Sequence, residues 1–103
     1  MVNEDNLRKF QVTLQFVMDE HFMTSIPAHR KYINELIEEE RIDQYLVSME
    51  SQTLWITLTG TDKEEVMKML RGTPLYPYFR KIRIDTLFIV DGLHYRFPAL
   101  QPN

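Results

Sequence analysis

Gly72-Thr73-Pro74-Leu75-Tyr76-Pro77-Tyr78-Phe79-Arg80-Lys81-Ile82-Arg83-Ile84-Asp85 is the stretch on which the reading of this chain turns. A glycine stop comes first, two prolines set among aromatics follow, and a strand-like run begins. Proline fixes φ and removes a backbone donor, so residues 73–77 can neither extend a helix nor lie in a central strand. A stiff connector is expected, holding Tyr76 and Tyr78 in fixed positions. It is either a rigid elbow with packed aromatics or a shaped edge at a pocket or partner.

Outward from the elbow the pattern is regular. Before it, Thr61-Asp62-Lys63-Glu64 matches a capping box, and Val66, Met67, Met69 and Leu70 supply the apolar side of a short helix. Arg71, Gly72 and Pro74 end that helix. Thr53–Thr59 alternates, with Leu54, Ile56 and Leu58 on one face and Thr53, Trp55, Thr57 and Thr59 on the other, as in a half-buried strand. Arg41–Met49 reads as another strand with Ile42 and Leu46 inward, alongside Tyr45 and Val47, and 50–52 as the turn between the two. A helix is expected before it. Thr24 or Ser25 caps it, Pro27 fits its first turn, and Ile26, His29, Ile33, Leu36 and Ile37 form one stripe. Three glutamates, 38–40, sit unfavourably at its negative end, so that end should fray. Phe10–Met18 alternates as a first strand. After the elbow, Phe79–Val90 reads as a long last strand, bulged near Asp85–Thr86, before a turn at Asp91-Gly92.

The order is therefore β-α-β-β-α-β, an α+β chain of the ferredoxin-like arrangement, with two helices on one face of a four-stranded antiparallel sheet. We divide it into a lead-in at 1–9, the domain at 10–92 and a tail at 93–103 that carries Tyr95, Phe97 and Leu100. The uncovered sheet face would carry Gln11, Thr13, Gln15, Trp55, Thr57, Arg83 and Asp85. A tryptophan on an open face favours pairing with a second copy, a homodimer or larger homo-oligomer, over a solvated face.

Composition narrows the function classes. The 103 residues are 44% hydrophobic and 26% charged, which suits one globular domain with a core. A net charge of −3 without a basic run speaks against a nucleic-acid partner. Without cysteine there is no disulfide, thiolate metal site or cysteine nucleophile. No apolar run approaches the roughly 20 residues of a membrane span, and the polar, acidic start is unlike a signal peptide, so a cytoplasmic setting is expected. There is no phosphate-binding glycine loop, serine-hydrolase elbow or His-Glu-x-x-His motif. Asp19-Glu20-His21 holds ligand-type side chains, but adjacent residues rarely converge on one metal. No metal and no cofactor are expected.

Thr73-Pro74-Leu75-Tyr76-Pro77-Tyr78-Phe79, preceded by the Glu64–Leu70 helix and followed by Ile84-Asp85-Thr86-Leu87, resembles muconolactone isomerase over roughly residues 52–87. That family carries a similar proline-aromatic segment at the same place in the same element order. The resemblance implies a dimeric α+β barrel that moves a proton within a small unsaturated lactone during aromatic-compound catabolism. The family is thought to use a carboxylate on its first helix. Here that stretch is Ala28-His29-Arg30-Lys31, with no glutamate before Glu35. Pro27-Ala28-His29-Arg30-x-Tyr32 also looks like the start of the first helix in YCII-related proteins, another dimeric α+β barrel family with a histidine there.

Proton transfer at carbon needs a base and a donor that stabilises an enolate-like oxygen. His29 is the candidate base, since an ordinary imidazole titrates near ~6.5, with a satisfied buried histidine as the alternative. Tyr78 and Arg83 are the candidate oxyanion or carboxylate partners, against ring packing for the first and an Arg83–Asp85 pair for the second. Gln15, Tyr32, Trp55, Tyr76 and Asp85 are the candidate substrate-binding residues. The expected activity is an isomerisation of a small unsaturated lactone or carboxylic acid; the alternative is a non-catalytic dimeric binding or accessory protein of the same fold.

Overall fold

The computed structural model describes residues 6–92. The tail at 93–103 lies outside them, as does most of the lead-in. Strand β1 (Arg8–Phe16) is followed by helix α1 (Phe22–Glu38), strands β2 (Ile42–Ser48) and β3 (Thr53–Gly60), helix α2 (Lys63–Arg71), a 3-10 turn at Tyr76–Tyr78 and strand β4 (Phe79–Thr86). The sheet runs β2-β3-β1-β4, every neighbouring pair antiparallel. This is the ferredoxin-like β-α-β-β-α-β arrangement that the element order predicts. Among the described residues, no helix is long and apolar enough to cross a membrane.

The two central strands alternate strictly. Phe10, Val12, Leu14 and Phe16 of β1 and Leu54, Ile56 and Leu58 of β3 are buried on one face. Phe22, Ile33 and Leu36 of α1 and Val66, Met69 and Leu70 of α2 complete the same core. Ile82 and Ile84 of β4 are half-buried against it. The first strand starts two residues earlier than Phe10 and stops at Phe16. Val17 and Met18 are exposed, and beyond Phe16 the Val17 N–H still bonds the Tyr78 carbonyl at the entry to β4.

Several boundaries differ from the sequence reading, each for a local reason. Helix α1 begins at Phe22, so Pro27 sits in its second turn, where it has no N–H for the Met23 carbonyl. The oxygen that holds the helix entry is Asp19 Oδ1, accepting from the N–H groups of His21 (2.8 Å) and Phe22 (3.0 Å). Thr24 and Ser25 lie inside the helix and donate back to the His21 carbonyl. The far end does not fray. Arg41 N–H donates to the Leu36 carbonyl and Glu40 N–H to the Ile37 carbonyl, the paired bonds of a Schellman stop, with Glu40 at φ 60. Ile37, expected in the buried stripe, is 41% exposed. In α2 the reciprocal cap lies one residue late: Asp62 accepts from Glu65 N–H, and Glu65 Oε1 accepts from Thr61 N–H.

Two bulges set which side chains face the helices. Between Ile42 and Gln44 the β2–β3 register shifts by one, so Tyr45 and Val47 join Ile42 on the helix side. Leu46 lands opposite Trp55 on the open face, not inward as its spacing from Ile42 suggested. In β4 the extra residue is Lys81, at φ 51, and not the Asp85–Thr86 pair. The last strand also ends earlier than expected, at Thr86. Beyond it Leu87 N–H reaches the Lys9 carbonyl, and Phe88 and Ile89 project at 96% and 73% exposure.

Candidate functional site

His29 stands on the inner face of α1, one turn past Ile26 and one before Ile33, and is only 1% exposed. A buried imidazole needs partners for both nitrogens. Nδ1 is hydrogen-bonded to the Thr73 hydroxyl and Nε2 to the Tyr45 hydroxyl at 2.5 Å. Three separate elements thus meet at one side chain: the helix, the edge strand β2 and the elbow. The elbow's part is specific. Its 3-10 turn is closed by Tyr76 N–H to the Thr73 carbonyl (3.1 Å) and Tyr78 N–H to the Leu75 carbonyl (2.9 Å). Leu75 N–H also donates to the Thr73 hydroxyl oxygen (3.2 Å), which fixes that oxygen beneath His29. The residues the elbow turns inward are therefore Thr73 and Leu75, while Tyr76 and Tyr78 are half-buried.

Burial, and then the Arg30 charge beside it, pulls the His29 pKa down from the ordinary 6.5 to about 4. The imidazole is neutral at pH 7, with a lower proton affinity than a free histidine. Burial pushes the Tyr45 phenol up to about 12, against the opposing pull of Arg30. Both members of the pair are thus uncharged at neutral pH. The Arg30 guanidinium lies over the Tyr45 ring, 5.4 Å from its centroid.

The pair forms part of the wall of a crevice of about 190 Å³ between α1 and the helix side of the sheet. Phe22, Met23 and Ile26 come from the helix, Val47, Leu54 and Phe79 from the sheet, and Leu75 from the elbow. His29, Arg30 and Tyr45 also border it, although its surface is almost wholly apolar because their heteroatoms are engaged with one another and with Thr73. An apolar concavity with a few convergent polar groups is the usual form of a small-molecule site.

The sequence candidates divide between two faces of the sheet. His29 lines the crevice. Tyr78 does not: its ring stands edge-on to Phe22 at 5.2 Å, and desolvation, then its hydroxyl's bond to Asp19, raises its pKa. Arg83 is on the opposite side of the sheet, its Nε donating to Asp85 at 2.8 Å. His29, Tyr78 and Arg83 therefore do not converge on one cavity within a chain; the sheet itself separates the first from the last. Gln15 and Trp55 share the open face with Arg83 and Asp85, by their register with Arg80, Thr13 and Leu46. Tyr32 donates to the Met69 carbonyl at 2.8 Å and ties α1 to α2. Tyr76 packs edge-on against Phe79 at 6.2 Å. Among the described residues no group of histidines and carboxylates is arranged to hold a metal.

Tyr45 and Thr73 are the site residues the sequence reading missed. The sequence puts Tyr45 inward on its strand and Thr73 in the elbow, but their meeting at His29 is long-range and leaves no local signal. No protein-family model matches the chain, and no curated protein matches it. Solved structures that resemble it include protein SO0527 from Shewanella oneidensis, 11% identical, the match covering 78% of this chain and 89% of that one at a TM-score of 0.45. Another is Rv0793 from Mycobacterium tuberculosis, 16% identical, covering 82% of this chain and 97% of that one at a TM-score of 0.44. The fold assignment rests on this chain's own strand order and register, not on those likenesses.

Proposed function

We propose that this chain binds a small molecule in the crevice under α1 and transfers a proton on it, an isomerisation of the muconolactone isomerase type acting on a small unsaturated lactone or carboxylic acid. One observation supports the reading above the others: a neutral histidine and a neutral tyrosine, hydrogen-bonded at 2.5 Å, stand in the wall of an otherwise apolar crevice. His29 lies behind Tyr45 and is nearly inaccessible, so it acts through the phenol. The tyrosine oxygen takes a proton from the acidic carbon of the ligand as its own proton passes to His29 Nε2. His29, with Nδ1–H already directed at the Thr73 oxygen, becomes an imidazolium, and its charge together with that of Arg30 balances the enolate. The reverse transfer returns the proton at another carbon. Positioned acid–base groups of this kind contribute roughly 100- to 10,000-fold in rate.

The test is turnover of a panel of unsaturated lactones and acids, followed by ultraviolet absorbance. Tyr45→Phe and His29→Gln should each lose at least about 100-fold in kcat while keeping the wild-type circular dichroism spectrum. A second reading, a non-catalytic binding or accessory protein, is favoured by the His29 environment itself. Both ring nitrogens are already partnered, and a pKa of about 4 makes a weak base. Saturable binding without turnover across the panel selects that reading.

The same proposal includes self-association in a cytoplasmic setting. Support comes from the open sheet face, where half-buried Trp55 lies beside Leu46 at 48% exposure, and a Thr57–Gln11 bond (2.7 Å) and an Arg83–Asp85 pair flank them. Two copies pressed together there form the dimeric barrel that the resemblance implies, with Arg83, Asp85 and Gln15 in the seam.

A further inference from the structure

Arg30, like Arg80, is not among the arginines that sit against a carboxylate, and it alone of these borders the crevice. Arg41, Arg71 and Arg83 each have a carboxylate within 4.0 Å, at 3.9, 3.2 and 2.8 Å. Arg80 donates to the carbonyls of Pro77 and Phe79. The partners of Arg30 are neutral: the Asn34 side-chain oxygen at 3.4 Å and the Tyr45 phenol and ring. Its place is set by the helix. Met23, Ile26 and Arg30 follow at i, i+3 and i+7, so all three border the crevice, and the Tyr45 ring supports the guanidinium at its edge. Planar guanidinium donors match a carboxylate in a two-pronged fork.

Size and polarity restrict what can lie behind that cation. A cavity of about 150 Å³ holds a benzene ring, so 190 Å³ accommodates a ring or a chain of roughly six to eight carbons. The inner walls are phenylalanine, leucine and isoleucine side chains, and the crevice surface is almost wholly apolar, with Arg30 at its border. A ligand with oxygens spread over its body would strip them of water against those walls without replacement partners. The rim is apolar too: Met23, Met49 and Val47 are 64%, 55% and 45% exposed, and flexible methionines adapt to a hydrocarbon laid across them.

We propose that the crevice selects a monocarboxylate with an apolar body, aryl or medium-chain, whose carboxylate is held at the mouth by Arg30 and whose hydrocarbon fills the space between α1 and β2. This rests on the crevice being a ligand site, as proposed above, and adds the class of ligand and the residue that selects it.

Amide NMR titrations of the full chain at neutral pH test it, with hexanoate and phenylacetate set against hexanamide and phenylacetamide. The carboxylates should bind about tenfold or more tightly than the amides, the difference expected of one hydrogen-bonded charge. Arg30→Gln should abolish that preference by weakening the carboxylates. Val47→Trp, which fills the crevice from its rim, should abolish binding of both, and its amide spectrum reports whether the fold is kept. Equal binding of amide and acid, or a preference that survives Arg30→Gln, overturns the carboxylate assignment while the crevice stands as a site. No binding of any probe to the wild type, or binding untouched by Val47→Trp, overturns the crevice reading and this inference with it.

Discussion

His29 is buried as a neutral group, which links it to stability through pH. Its folded pKa of about 4 lies below the ordinary 6.5. Above pH 6.5 neither state is charged, and the group contributes no pH dependence. As the pH falls through 6.5 the unfolded chain takes up a proton that the folded chain does not, so stability drops until the folded imidazole also titrates near 4. The loss amounts to at most about 3 kcal/mol. Urea unfolding between pH 7 and pH 4 should show His29→Gln lacking that component, with a shallower acid limb than the wild type. An equally steep limb in the variant would mean that carboxylates carry the whole effect. Tyr45→Phe leaves one imidazole nitrogen without its partner and should cost about 1–3 kcal/mol at neutral pH. The sequence showed that His29 faces the sheet; it did not show what it meets there, because Tyr45 and Thr73 come from elements 16 and 44 residues away.

At the level of elements, the stops and joints explain more than the helices and strands do. Gly72 ends α2 in ordinary αR backbone, φ −79, so its conformation does not demand glycine. Space does: a Cβ there would sit 2.5 Å from the Tyr32 hydroxyl oxygen and 3.0 Å from its Cζ. Gly72→Ala should therefore cost about 1–3 kcal/mol, and a Tyr32→Phe background, lacking the crowded oxygen, should relieve part of it in denaturant titrations. Glu40 presents the opposite case. It takes the left-handed position of the Schellman stop at φ 60, where glycine carries no Cβ penalty. Glu40→Gly should raise the midpoint of urea unfolding, by about 1 kcal/mol in stability. From sequence the helix end looks frayed because three glutamates oppose its dipole, and the stop that holds it carries no glycine to mark it. Lys81 and Gln52 hide their positive φ in the same way.

At the level of the molecule, the four-stranded sheet acts as a partition. One face carries the core and the crevice; the other carries Gln15, Trp55, Arg83 and Asp85, which a single chain cannot bring to His29. The proposed pairing of open faces has a direct measure. Light scattering at micromolar concentration should give the mass of two chains, and Trp55→Lys alone should give one, since buried unpaired charge is costly. A wild-type mass of one chain would leave those residues as a solvated sheet face and confine any chemistry to the crevice under α1.

Period-two alternation in the central strands and the helical stripe of α1 were enough to determine the element order, the two-layer fold and the orientation of His29, because burial acts on every second or every third-to-fourth residue and writes itself locally. The bulges at 42–44 and at Lys81, the entry of α1 at Phe22 and the company His29 keeps were decided only in three dimensions. A bulge is a compromise between two strands, and a buried histidine takes whichever hydroxyls the packed elements bring within reach.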